Sequence, residues 1–184
     1  MMTEPSGASH GAGLRPIGAG DLPGLLALNN AHAAELSFLS PDALAGLVDG
    51  AFLAIRSDRE PAFLLAFDQD ADYASPNFLW MRKRFDRFVY VDRVVVAPEA
   101  RGLGLARRLY TAVFDAAARA GHVRVVCEVN SEPPNPGSDA FHAAMGFAVI
   151  GEAAIHGGTK TVRYLARAVA AGDVAAAVPG APAP

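Results

Sequence analysis

Cysteine is almost missing from this 184-residue chain: Cys127 stands alone, so no disulfide can close within it, and a reducing compartment suits such a sequence. An excess of charge of either sign is missing too. The 16 Lys and Arg against 19 Asp and Glu leave a formal net charge of −3, which supplies neither the basic field of a nucleic-acid surface nor a polybasic membrane anchor. No unbroken apolar run is long enough to span a bilayer, and residues 1–13 lack the charged start and apolar stretch of a secretory signal. His32, His122 and His156 show no metal-ligand spacing and His10 lies near the first residue, so no metal is expected. No internal repeat is visible. The expectation is a cytoplasmic protein that contacts no nucleic acid and no membrane.

What is present fits one domain with a proper core. The apolar share of 52% is swollen by alanine, much of it on helices and in an Ala/Pro/Gly stretch near residue 184. Residues 1–13 and 170–184 read as disordered tails around a domain at 14–169. Inside it, strands and helices alternate. Leu14 to Ile17 suits a short strand, and Asp21 caps a helix to about Leu36. Ser40 caps a second helix, with Pro41 at its first position, to Val48. Phe52 to Arg56 and Ala62 to Phe67 form a hairpin around Ser57 to Glu60. Phe88 to Val96 is a long buried strand, followed by an amphipathic helix over 104–120. Its apolar stripe is Leu105, Leu109, Ala112, Val113, Ala116, Ala117 and Ala120, and Gly121 ends it. Val123 to Asn130 is a strand, Ser138 caps a short helix to Met145, and Phe147 to Ile155 with Thr161 to Val169 close a hairpin around Gly157 and Gly158. The order is mixed α/β. Residues 68 to 87, with Asp68, Asp70, Asp72 and a run of aromatics, read as a long loop: a segment for substrate recognition or a surface loop pinned by aromatics.

The most informative stretch is Val94-Val95-Val96-Ala97-Pro98-Glu99-Ala100-Arg101-Gly102-Leu103-Gly104-Leu105-Ala106, a strand, a turn and a glycine-spaced start of a helix. Gly102 and Gly104 let backbone N–H groups converge where the helix dipole is positive, and Arg101 adds a full charge, so the junction suits an anion such as phosphate. The spacing is neither G-x-G-x-x-G nor that of a P-loop. It matches [RQ]-x-x-G-x-[GA] and so resembles the GCN5-related N-acetyltransferase (GNAT) family. Asn135-Pro136-Gly137-Ser138-Asp139-Ala140-Phe141-His142-Ala143-Ala144-Met145-Gly146-Phe147 is similar to that family's second motif, N-x-x-[AS]-x-x-[FL]-Y-x-x-x-G-F, with His142 in place of tyrosine.

The resemblance implies a single-domain fold with a central, mostly antiparallel sheet of six or seven strands, splayed central strands and about four helices. It also implies an acetyl-coenzyme A site with coenzyme A as product. Arg101, Gly102, Leu103, Gly104, Leu105 and Ala106 would hold the pyrophosphate, while Val94, Val95 and Val96, with Asn135, Ser138 and Phe141, would line the pantetheine arm. A backbone N–H at Val95 or Val96 would polarise the thioester carbonyl, and His142 would return a proton to the departing thiolate. His142 could equally fill the tyrosine's space or face solvent.

If the ligand is an acyl thioester, the acceptor is an amine. An alkylammonium of pKa ~10.4 is free base in on the order of one molecule in two thousand at pH 7, a handicap of about 4 to 5 kcal/mol, whereas a thiolate leaves easily. A base is therefore the first need. Asp92 and Glu128 are carboxylates inside apolar strands, where desolvation would raise their pKa and suit them to that work. By alternation Tyr90, Asp92, Val94 and Val96 share a face. The structural alternative is a buried ion pair, Asp92 with Arg124 or neighbours of Arg93, and Glu128 with Arg163. Cys127, with no His/Asp constellation, reads as a small buried hydrophobe. Arg107 and Arg108 could approach the phosphates or lie solvated.

The expected activity is N-acetyl transfer by direct attack in a ternary complex, onto a small-molecule or peptide amine that the sequence does not name. The rival is an acyl-coenzyme A-binding module without catalysis. The aromatic loop and the last hairpin could support a homodimer.

Overall fold

A computed structural model describes residues 13–170, and the expected tails fall outside that range except for Gly13 and Ala170. One seven-stranded sheet runs through the domain in the order β1-β2-β3-β4-β5-β7-β6. The strands are β1 (Leu14–Pro16), β2 (Leu53–Ser57), β3 (Ala62–Asp68), β4 (Val89–Val96), β5 (Arg124–Glu132), β6 (Ala148–Ile155) and β7 (Lys160–Ala168). Every neighbouring pair is antiparallel except β4 and β5. The helices are α1 (Leu22–Ala31), α2 (Pro41–Gly50), α3 (Pro76–Arg82), α4 (Leu105–Arg119) and α5 (Pro136–Ala144). None of the described helices is long and apolar enough to cross a membrane.

Strand alternation sorts the core into layers. Leu64, Ala66, Val91 and Val125 face α4, whose Leu109, Tyr110, Val113 and Phe114 are buried against them. On the opposite face, Phe63, Leu65 and Val95 meet Leu25 of α1 and Leu44 of α2. Phe67, Tyr90, Val126 and Tyr164 meet Phe78 and Met81 of α3 there. The α4 stripe is thus centred differently from the expectation. Tyr110 and Phe114 lie inside it and Ala120 is exposed, because two large rings gain more from burial than one methyl group.

Four local expectations need correction. Helix α1 stops at Ala31, not near Leu36, because two asparagine amides capture the returning chain. Asn29 Nδ2 donates to the Ser37 carbonyl at 2.9 Å, and Asn30 exchanges two 3.0 Å bonds with the backbone of Leu39. Asn135, not Ser138, caps α5, its Oδ1 accepting from the Ser138 N–H at 3.1 Å. The segment 68–87 contains α3, seven residues with Pro76 in its first turn. Finally, alternation fails within β4. Leu65 pairs with Arg93 and Ala66 with Val91, so Asp92 is one residue too many and the strand turns over at that point. Tyr90 therefore faces α3, whereas Val94 and Val96 join Val91 on the α4 face.

Candidate active site

The only parallel pairing among the described residues is short. β4 and β5 are matched at Val89 with Val125 and Tyr90 with Val126, and no further. Beyond that point the strands part, and a cavity of about 710 Å³ occupies the gap. The surplus residue Asp92 lies just where pairing stops, so the bulge and the opening coincide. The backbone of Val94, Val95 and Val96 lines the cavity with no strand beside it on the β5 side, free to pair with an extended ligand.

One end of the gap is the glycine turn. Gly102 and Gly104 have φ of +80° and +73°, and a Cβ at either would meet nothing within 4 Å. Conformation, not crowding, is what requires glycine there. The first turn of α4 has no side-chain cap, so its N–H groups are left for an anion. Arg101, Gly102 and Ala106 line the cavity, as do Asn135, Ser138 and Phe141. Of the other expected contacts, Leu103 is exposed and Leu105 belongs to the core, and neither they nor Gly104 are among the residues lining the cavity.

The two carboxylates have different surroundings. Asp92 is fully engaged: Tyr73 donates to Oδ1 at 2.5 Å and Arg93 Nε to Oδ2 at 2.6 Å, while Arg93 also reaches Asn29 Oδ1 at 2.8 Å. Both side chains of this ion pair are 5% exposed. Arg124, the partner considered for Asp92, lies over the Phe85 ring instead. Glu128 has no cationic partner among the described residues, since Arg163 is bonded to Asp139 at 2.6 Å. Its Oε1 accepts from Asn77 Nδ2 at 2.8 Å and from the Tyr90 hydroxyl at 3.0 Å, and Asn77 is held in turn by the Tyr164 hydroxyl at 3.1 Å. Glu128 Oε2 is shielded from solvent and has no hydrogen-bond partner among the described residues. Burial pushes the Glu128 carboxyl up to about 8, the charge of Asp92 adding to the rise and the Tyr90 and Asn77 bonds opposing it. Burial likewise raises the Tyr73 phenol, helped by Asp92, and the Cys127 thiol, helped by Glu128.

His142 is buried, not solvent-facing. Its Nδ1 lies 2.7 Å from the Ser138 carbonyl and its Nε2 2.7 Å from the Tyr110 hydroxyl. Burial lowers its pKa, with the Ser138 carbonyl opposing the effect. Opposite the glycine turn, the cavity opens between the α1–α2 connection, the segment before α3 and the β6–β7 turn. The Glu35 carbonyl ties the first of these to β5 and to the start of β7, accepting from Asn130 at 3.2 Å and from Lys160 at 3.4 Å.

Sequence reasoning missed Tyr73, Asn77 and Tyr110. Asn77 and Tyr73 come from the segment that carried no periodic signal, and Tyr110 looked like any helix residue.

The fold and the cavity thus define a protein with room for an extended, anion-tipped ligand between two parting strands, and with the buried carboxylate of Glu128 in the cavity lining. The acetyltransferase (GNAT) family model matches residues 41–147, and the chain belongs to that family. Among solved structures it is similar to Ard1 from Thermoplasma volcanium, at 12% identity and a TM-score of 0.69, over 85% of this chain and 97% of that one. It is similar also to Naa20 from Chaetomium thermophilum, determined with a bisubstrate analogue, at 19% identity and a TM-score of 0.66, over 85% and 86%. A third is spermidine N-acetyltransferase from Vibrio cholerae in complex with coenzyme A and spermine, at 18% identity and a TM-score of 0.60, over 85% and 94%. No curated protein matches the chain in sequence. Acetyl-coenzyme A is the cofactor that goes with this family, and the open cradle, the unpaired β4 backbone and the free Glu128 oxygen fit it.

Proposed function

We propose that this chain is an acetyl-coenzyme A-dependent N-acetyltransferase acting on a primary amine, with Glu128 as the general base. The observation that carries the reading is the contrast between the two carboxylates: each Asp92 oxygen accepts a hydrogen bond, from Tyr73 or Arg93, whereas Glu128, which lines the cavity, keeps Oε2 without a partner. Bound acetyl-coenzyme A supplies the activated acetyl thioester. Arg101 and the α4 N-terminus hold its phosphates, and the β4 backbone at Val94 to Val96 aligns the thioester arm and polarises the carbonyl through a strand N–H.

Glu128 then takes the amine's proton. A carboxyl that titrates near 8 is mostly protonated at neutral pH in the free protein, and the approach of a cationic ammonium favours its ionised form. Its pKa near the working pH suits it to accept a proton and release it to solvent afterwards. Asn77 and Tyr90 fix Oε1 so that Oε2 is the oxygen presented. Asp92 serves as the counter-charge of Arg93 and raises Glu128 from nearby.

The test is release of free thiol from acetyl-coenzyme A, with mass detection of acetylated product. The acceptors are a short peptide with a free N-terminus, a peptide blocked there but carrying lysine, and spermidine. Acetylation of at least one, abolished in Glu128→Gln, is expected. Tight coenzyme A binding with no acetylated product from any of the three would overturn the reading.

A further inference from the structure

The two faces of the sheet divide the chemistry. On β5, Glu128 points to the α3 side, where it meets Asn77 and Tyr90, while Cys127 points to the α4 side. On that second side, Tyr110 of α4 meets His142 of α5, and both line the cavity. The tautomer follows from the partners. The Ser138 carbonyl oxygen can only accept, so His142 Nδ1 carries the ring hydrogen and donates to it at 2.7 Å. Nε2 is then bare and accepts the Tyr110 O–H at 2.7 Å. The neutral imidazole has no N–H left for a ligand.

We propose that the Tyr110 hydroxyl, held in place by His142, is the hydrogen-bond donor to the departing coenzyme A sulfur. This rests on the coenzyme-binding reading above, and it moves the phenol from α5, where the family motif has tyrosine, to α4. The hydroxyl keeps its proton. Burial, with Cys127 beside it, holds the Tyr110 phenol well above its ordinary value, so a thiolate of pKa about 8.5 is too weak a base to take the proton. As the carbon–sulfur bond breaks, its electron pair stays on sulfur, the amine proton goes to Glu128, and the thiolate is protonated by water after release. Before the reaction the hydroxyl rests on a neutral imidazole nitrogen. An anionic sulfur is the stronger acceptor, so the hydroxyl rotates toward it only as charge develops, which favours the transition state over the bound thioester.

The experiment needs no acceptor. The thiol of bound coenzyme A is titrated through the ultraviolet absorbance of its thiolate, with the desulfo-coenzyme A complex as blank so that Cys127 and the tyrosines cancel. In the unaltered protein the bound thiol should titrate below the free value of about 8.5. Tyr110→Phe should raise it by about one pH unit, a tenfold loss of thiolate stabilisation. His142→Phe should raise it less, and Tyr110→Phe with His142→Tyr, which returns a phenol from α5, should restore the low value. A value unmoved by Tyr110→Phe, or moved more by His142→Phe, overturns the proposal while leaving the coenzyme site intact. Failure of the unaltered protein to bind coenzyme A in calorimetry overturns both.

Discussion

Replacing Glu128 by Gln keeps the side chain's shape and its accepting oxygen for Asn77 and Tyr90, but removes its proton equilibrium. The folded protein holds the Glu128 proton up to about pH 8, whereas the unfolded chain releases it near 4.5. Between those values the folded state binds more protons than the unfolded one, so this residue makes stability fall as pH rises. Below pH 4.5 both states are protonated and the effect vanishes. Each pH unit inside the window is worth at most about 1.4 kcal/mol, so the whole interval bounds the loss at about 5 kcal/mol. Relaxation around a buried group makes the real figure smaller. Urea denaturation at a series of pH values, comparing Glu128→Gln with the unaltered protein, reads this directly. The two should be about equally stable near pH 4.5, and the Gln variant should become the more stable by pH 8. Acetylation by the same variant should fall about 10²- to 10⁴-fold. If both proteins lose stability in parallel between pH 5 and 8, the raised carboxyl, and the account of the base built on it, is refuted.

Three further outcomes follow from neighbouring residues. Asn77→Ala removes a bond that lowers the Glu128 pKa, so the acetylation rate should rise with pH over a more alkaline range than in the unaltered protein, with a stability loss of about 1 to 3 kcal/mol in urea. Asp92→Ala leaves the buried Arg93 guanidinium without its counter-charge, and should cost about 3 to 5 kcal/mol by the same assay. Gly104→Val forces a β-branched residue to φ +73°; it should cost about 1 to 3 kcal/mol and remove the thermal shift produced by coenzyme A.

The glycine turn proposed to cradle the phosphates was legible in the sequence because it is built from consecutive residues: one strand end, two glycines and one helix start determine it locally. The strand and helix order was legible for the same reason, since each element carries its own period. The proposed base was only half legible. Asp92 and Glu128 look alike in sequence, each a carboxylate within a valine-rich strand, and only their partners distinguish them. Those partners, Tyr73 and Asn77, stand on a segment too short for a helical period to show. Alternation along β4 misled at Asp92 because it counts residues and cannot sense one that the neighbouring strand leaves unmatched. His142 read as a departure from a motif, and its meaning waited on Tyr110, 32 positions away on another helix.

The unmatched Asp92 has a consequence for how this strand can change over time. The halves of β4 on either side of it run in opposite phase, because the pairs Ala66 with Val91 and Leu65 with Arg93 close around a residue that has no partner. Deleting Asp92 would leave every remaining pair in register and keep Val94 and Val96 on the α4 side. What would go is the local bend and added twist that a bulge supplies, at the place where β4 leaves β5. Substitutions at this site alter a contact or a charge; a change of length by one straightens the strand that frames the opening.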